Sequence, residues 1–321
     1  MLHRIAVFLF GVLLVCNAQA QSNYPNKSIR WVVPWPAGGI ADTQARLIAE
    51  HLGKMLGQQV VVDNRPGGSG IIGAEIVAKS KPDGYTLLYV SPNEQAIAQA
   101  LGLKVPYDAS KAFTPITQFL RRPPVLVASD SLKVRTVADL VKLAKSERDS
   151  LSYGTPGVAH FNHFVSEVFN RRVGIDVPSV PYKGEAPMLT DMIGGQVAYG
   201  FAFAATVEPL IKAGRLRALA TTGRIRSPQL PEVPTFTELG MPDLEFYIWT
   251  GMAAPAQLPA AIVNTLQTAI SKVLQSPALK ARREFADSEI VASKPEVFAA
   301  HLTAERARWI QLVKQAGITP E

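Results

Sequence analysis

The chain has 321 residues, a formal net charge of +7 and a single cysteine, Cys16. One thiol excludes a disulfide framework and a cysteine metal site, so a core must stabilise the fold alone; about three hundred residues suffice for that, as two lobes. The basic residues are dispersed, with pairs at Arg121-Arg122, Arg171-Arg172 and Arg282-Arg283, which argues against a nucleic-acid face and fits an anionic ligand.

The first twenty residues, MLHRIAVFLFGVLLVCNAQA, join a short basic head at His3 and Arg4 to an apolar middle and a small-x-small end, Ala18-Gln19-Ala20. This is the pattern of a cleaved signal peptide, and its apolar part is too short to span a bilayer. The mature chain is expected to begin near Gln21, exported, without Cys16.

Next comes a short buried-strand run, Ser28 to Trp35, stopped by Pro36-Ala37-Gly38-Gly39. A helix follows, with Ile48, Leu52 and Met55 at helical spacing and Gly57 as its stop. QVVVD is a second strand, NRPGGSG a loop, IIGAEIVAK a short helix and YTLLYV a third strand. The alternation predicts an α/β lobe with a largely parallel sheet. It resumes later: Thr136 and Asp139 form a capping box, LSYGTPG is a strand and turn before the helix AHFNHFVSEVFN, and VPSVPYKG is a strand and turn before APMLTDMIGG. Two long extended runs, AFTPITQFLRRPPVLVAS and LEFYIWTGMAAPAQLP, contain no helix and read as crossings between lobes. The helices at 259–275 and 294–316 then complete the first lobe, and a double hinge makes a clamshell.

Chemistry-bearing motifs are few. GGSGIIG at 67–73 contains the dinucleotide spacing G-x-G-x-x-G, but Asp63 to Pro66 separate the strand from the glycines and Glu94 lies too deep to be the acidic partner. VPWPAGGIAD is the stronger signal: Gly38 and Gly39 turn a strand end into a helix whose N–H groups, from Ala37 to Ala41, suit a carboxylate. YGTPGVAH, with Thr155, repeats the device in the second lobe. His160 and His163 stand three apart, yet their aromatic neighbours suggest packing, and no metal is expected. No G-x-S-x-G, H-E-x-x-H or Walker loop is present, so a binding protein is expected ahead of its alternative, an exported hydrolase with an unrecognised triad, and no cofactor.

Together VPWPAGGIAD, VVDNRPGGSGIIGAE, YDASKAFTPI, YGTPG, VPYKGEAPMLTDMIGGQV and IKAGRLRALATT resemble, in order and across the whole mature chain, the Bug family. These are the extracytoplasmic solute receptors of tripartite tricarboxylate transporters. The resemblance implies a two-lobed periplasmic-binding-protein clamshell of type II, divided as lobe 1 at 21–122, lobe 2 at 123–247 and completion of lobe 1 at 248–321. It also implies a monomer that holds a small organic carboxylate in the cleft and delivers it to membrane subunits. The implied cleft positions are Trp35, Ala37, Gly38 and Gly39, then Ser91, Asn93 and Glu94, then Tyr153, Thr155, Gly157 and His160, and finally Tyr182, Lys183 and Ala202. Ala202 stands where many members carry an acidic residue, and Trp35 where Phe is common. Without that acid a ligand amine lacks a partner, so an amine-free dicarboxylate or aromatic carboxylate is expected.

Overall fold

The computed structural model describes residues 24–147, 150–158 and 160–316. The expected signal segment lies outside them. In chain order the main elements are β1 (Ile29–Val33), α1 (Ile40–Leu56), β2 (Val60–Asn64), α2 (Ile71–Ala78), β3 (Thr86–Val90), β4 (Phe113–Arg122), β5 (Pro124–Ser129), α3 (Val137–Ser146), β6 (Tyr153–Thr155), α4 (Phe161–Val173), β7 (Ser179–Pro181), α5 (Glu185–Ile193), β8 (Tyr199–Phe203), α6 (Ala204–Lys212), β9 (Leu216–Thr221), β10 (Ile248–Pro255), α7 (Ala260–Gln275), β11 (Glu289–Ile290) and α8 (Pro295–Ala316).

These strands form two sheets. The first has the order β11-β4-β10-β3-β1-β2, the second β7-β6-β8-β5-β9. The chain leaves the first sheet at Arg122 and enters the second at Pro124; the intervening Pro123 has no N–H to donate and ends the ladder between them. β10 brings the chain back. The prediction of a largely parallel first sheet is corrected by half: β1 pairs in parallel with β2 and β3, but β10 runs antiparallel to both β3 and β4, as β11 does to β4. Short strand–helix–strand units enforce parallel pairing; the long crossing strands carry no such constraint.

The expected completion of the first lobe also needs revision. α7 packs on α1 and β4, all within that lobe. α8 straddles the two. Its Phe298 and Leu302 join Leu88, Val90 and Trp249 in the first lobe's core, whereas Trp309 and Val313 join Phe161 and Phe164 of the second. Glu305 stands between them, accepting both indole N–H groups, from Trp249 at 2.9 Å and Trp309 at 3.0 Å. The clamshell is therefore strapped across its hinge.

The cleft lies on one rim of the first sheet. β1, β3 and β4 share a direction, because β10 is antiparallel to both β3 and β4. Their carboxyl ends thus open on the same side, where ligands bind in sheets of this kind.

Candidate ligand-binding site

Between the sheets lies a cavity of about 150 Å³, lined from both lobes. That volume suits a molecule of roughly the bulk of benzene. Its mouth is built from backbone. α1 begins at Ile40 with Gly39 as an N-cap that offers no side-chain cap, so the first N–H groups of the helix have no intrahelical partner, and Gly39, Ile40 and Ala41 line the cavity. Gly38 adopts the left-handed φ of 81° that lets the strand end turn into the helix. Its N–H donates to Asp42 at 2.9 Å, and Arg46 pairs with Asp42 at 2.9 Å. Asp42 thus locks the turn rather than facing the ligand.

The second lobe answers with another uncapped helix start. Gly184, at φ 116°, is the N-cap of α5 and has no side-chain cap; Gly184, Glu185 and Ala186 line the cavity. His160 sits between the two helix starts. Its Nδ1 accepts the Asn162 N–H at 3.1 Å, which puts the imidazole proton on Nε2. Burial, reinforced by His163, pulls the His160 pKa down to about 3. The ring is therefore a neutral donor, and it meets the Trp35 indole edge-on at 5.3 Å.

Of the cleft positions implied by the sequence, Trp35, Ala37, Gly39, Ser91, His160 and Lys183 line this cavity. The others stand behind it. Thr155 donates to the Gly157 carbonyl at 3.2 Å, Tyr182 to Asp191 at 2.9 Å and Tyr153 to Glu167. Asn93 is fully buried. Glu94 is buried too, and accepts the Ser91 N–H and hydroxyl, the latter at 2.8 Å. Burial pushes its pKa up to about 8 against those hydrogen bonds.

Ala202 is a correction. Strand alternation sends it into the core with Val125, Val127 and Met188, while Phe203, one residue on, faces the cavity. The absence of an acid at 202 therefore says nothing about the ligand's amine.

The glycine loop GGSGIIG is no phosphate cradle. Gly67, Gly68, Ser69 and Gly70 all have positive φ, and none lines the cavity. A Cβ at Gly73 would press within 2.8 Å of Pro34, so that glycine serves close helix–sheet packing. Ser69 donates across the cleft to the Val158 carbonyl at 2.5 Å, which makes the loop an interlobe contact.

Sequence reasoning missed the hinge end. There the lining comes from Tyr89, Arg122, Phe203, Ile248 and Thr250. Arg122 is 3 % exposed, and its guanidinium lies over the Phe203 ring at 4.4 Å. The only sequence signal was the Arg121-Arg122 pair before two prolines. Among the described residues no group of three His, Cys, Asp or Glu side chains could hold a metal ion, and no helix is long and apolar enough to cross a membrane.

Two α/β lobes, a double crossing and a cleft lined by helix starts define a two-lobed solute-binding protein. Residues 44–318 match the tripartite tricarboxylate transporter family receptor, and the chain belongs to that family of periplasmic receptors. It is 32% identical over 314 residues to protein BugT of Bordetella pertussis, covering 98% of this chain and 96% of BugT. Among solved structures it is similar to the periplasmic binding protein BugD, with a TM-score of 0.87, 30% identity and coverage of 93% of this chain and 100% of that one. It is likewise similar to R. palustris Rpa4515 with adipate, with a TM-score of 0.88, 36% identity and the same coverage, 93% and 100%.

Proposed function

We propose that this receptor captures an amine-free small organic carboxylate between its lobes and passes it to the membrane subunits of a tripartite transporter. One observation carries the reading: uncapped N-termini of α1 and α5, one from each lobe, face a single cavity beside a neutral imidazole donor. Helix starts attract anions through free N–H groups and the helix dipole. The adipate bound by the similar Rpa4515 supports a small carboxylate as the ligand.

The preference against an amine rests on Arg122 and Lys183, two cations that line the same cavity against one carboxyl, Glu185, whose charge burial disfavours by raising its pKa to about 7. A dicarboxylate or an aromatic carboxylate fits the apolar middle formed by Trp35, Tyr89 and Phe203. The receptor acts as a monomer, split into lobes at 123 and 248, with a mature chain from Gln21.

A hydrolase reading gains no support from the lining. Ser91 spends its hydroxyl proton on Glu94, and the acceptor nitrogen of His160 is taken by the Asn162 N–H. Burial raises the Glu94 pKa to about 8, so near neutral pH the carboxyl that Ser91 meets is largely protonated and a poor base for that hydroxyl. The test is a thermal-shift panel of amine-free acids and amino acids, with NMR of each acid after incubation. Stabilisation by an amine-free acid recovered unchanged is expected. Turnover of the acid, or a response to amino acids alone, would overturn the reading.

A further inference from the structure

Arg122 is the buried cation of the cavity lining, and the chain leaves two of its nitrogen donors unanswered. Neither Nε nor Nη1 has a hydrogen-bond partner within the protein. The carboxyls of Glu185 and Asp287 are near enough to favour its charge, and each keeps one buried oxygen without a partner, but neither is hydrogen-bonded to the guanidinium: Glu185 bonds to Thr206 and Phe203, and Asp287 to Ser227. Cation–π contact with Phe203 is its visible compensation. A guanidinium taken from water with no hydrogen-bonded anion is costly, and a bidentate carboxylate answers that cost.

The position of Arg122 gives this demand a direction. It ends β4, and across the rim lie β10, β3 and β1, whose end leads into the Trp35 turn. Three strand spacings of about 4.8 Å place the two ends of the cleft about 14 Å apart at the backbone. Between them the lining is Trp35, Tyr89, Phe203 and Ile248. One anion-seeking end is backbone, the other a guanidinium, and the middle is apolar.

We propose that Arg122 is the specificity-determining residue of the receptor: it seats a second, distal carboxylate, so the ligand is a diacid with a short apolar spacer spanning mouth to hinge. This rests on the carboxylate-receptor reading above. An aromatic monocarboxylate would satisfy one end only and leave the other unpaired.

The test uses calorimetry on the purified protein with α,ω-diacids of four to seven carbons, the straight-chain monoacids of equal length, and benzoate. The wild type is expected to bind its best diacid on the order of 10- to 100-fold tighter than the matched monoacid, the range for hydrogen bonds to a charged group. In Arg122→Met that ratio should collapse toward one, with monoacid affinity kept and the unliganded melting temperature kept or raised. Equal binding of monoacid and diacid by the wild type overturns the assignment while leaving the receptor reading intact. Equal loss of both in a folded Arg122→Met overturns it too, since a structural role would act that way. If no acid of either kind binds, the receptor reading itself fails. Should Arg122→Met not fold, the wild-type ratio alone decides.

Discussion

At the mouth of the cavity, α1 and α5 present backbone N–H groups, and the residues that shape them do so by geometry: Gly38, Gly39 and Gly184. At the hinge end the anion-seeking group is a side chain, Arg122, at the end of the crossing strand β4. The difference separates what a receptor of this kind needs from what sets its ligand. Backbone donors grip any carboxylate and tolerate changes of side chain. A guanidinium at a fixed distance asks for a second anion, and a single substitution can remove that request.

Removing a mouth donor is expected to have the largest effect after loss of Arg122 itself. Gly39 has φ −76°, which proline adopts without strain, so Gly39→Pro deletes one N–H and keeps the turn. Affinity for monoacid and diacid alike should fall about 10-fold or more, as for a hydrogen bond to a charged group. Calorimetry giving wild-type affinity would show that the mouth does not hold the carboxylate.

The buried acid behind the mouth gives an effect on stability. The Glu94 pKa is raised from 4.5 to about 8, chiefly by burial. A carboxyl that binds its proton better when folded stabilises fully below about pH 4.5, and that contribution is lost as pH rises through about 8. Glu94→Gln removes the titration. It should therefore melt above the wild type at pH 8, by a few kcal/mol at most, with the gap closing toward pH 5. Parallel melting curves across that range would contradict this. The hinge end titrates in the same window through Glu185 and Asp287, which burial raises to about 7 and about 6, but that part is common to the wild type and Glu94→Gln and leaves the gap between them unchanged.

The smallest change is expected at the interlobe contact. Ser69→Ala removes the hydrogen bond to Val158 while leaving both anion-seeking ends in place. A loss of about 1 kcal/mol would weaken binding several-fold, equally for monoacids and diacids. A change in the diacid preference would mean that the two ends are coupled through this loop.

The same contrast explains what the sequence could reveal. The mouth was legible because Pro36-Ala37-Gly38-Gly39 and Tyr182-Lys183-Gly184 betray a backbone bend wherever they occur. The crossings were legible as long extended runs without a helix. Arg122 was not, because Arg121 and Arg122 look alike in a string. Alternation puts them on opposite faces without saying which face is the cavity, and Arg121 proves to be a surface partner of Glu289 at 2.8 Å. Ala202 and Phe203 were exchanged for the same reason. Trp309, counted with the first lobe by chain order, packs on Phe164 of the second at 4.7 Å, since a helix of 22 residues reaches across the hinge.

A crystal structure of the protein with its tightest-binding diacid tests the central claim most directly. One carboxylate is expected within hydrogen-bond distance of the N–H groups at the start of α1, the other on the Arg122 guanidinium, and the spacer between Trp35 and Phe203. A diacid bound with both carboxylates at the mouth, or held by one lobe alone with Arg122 untouched, would contradict it.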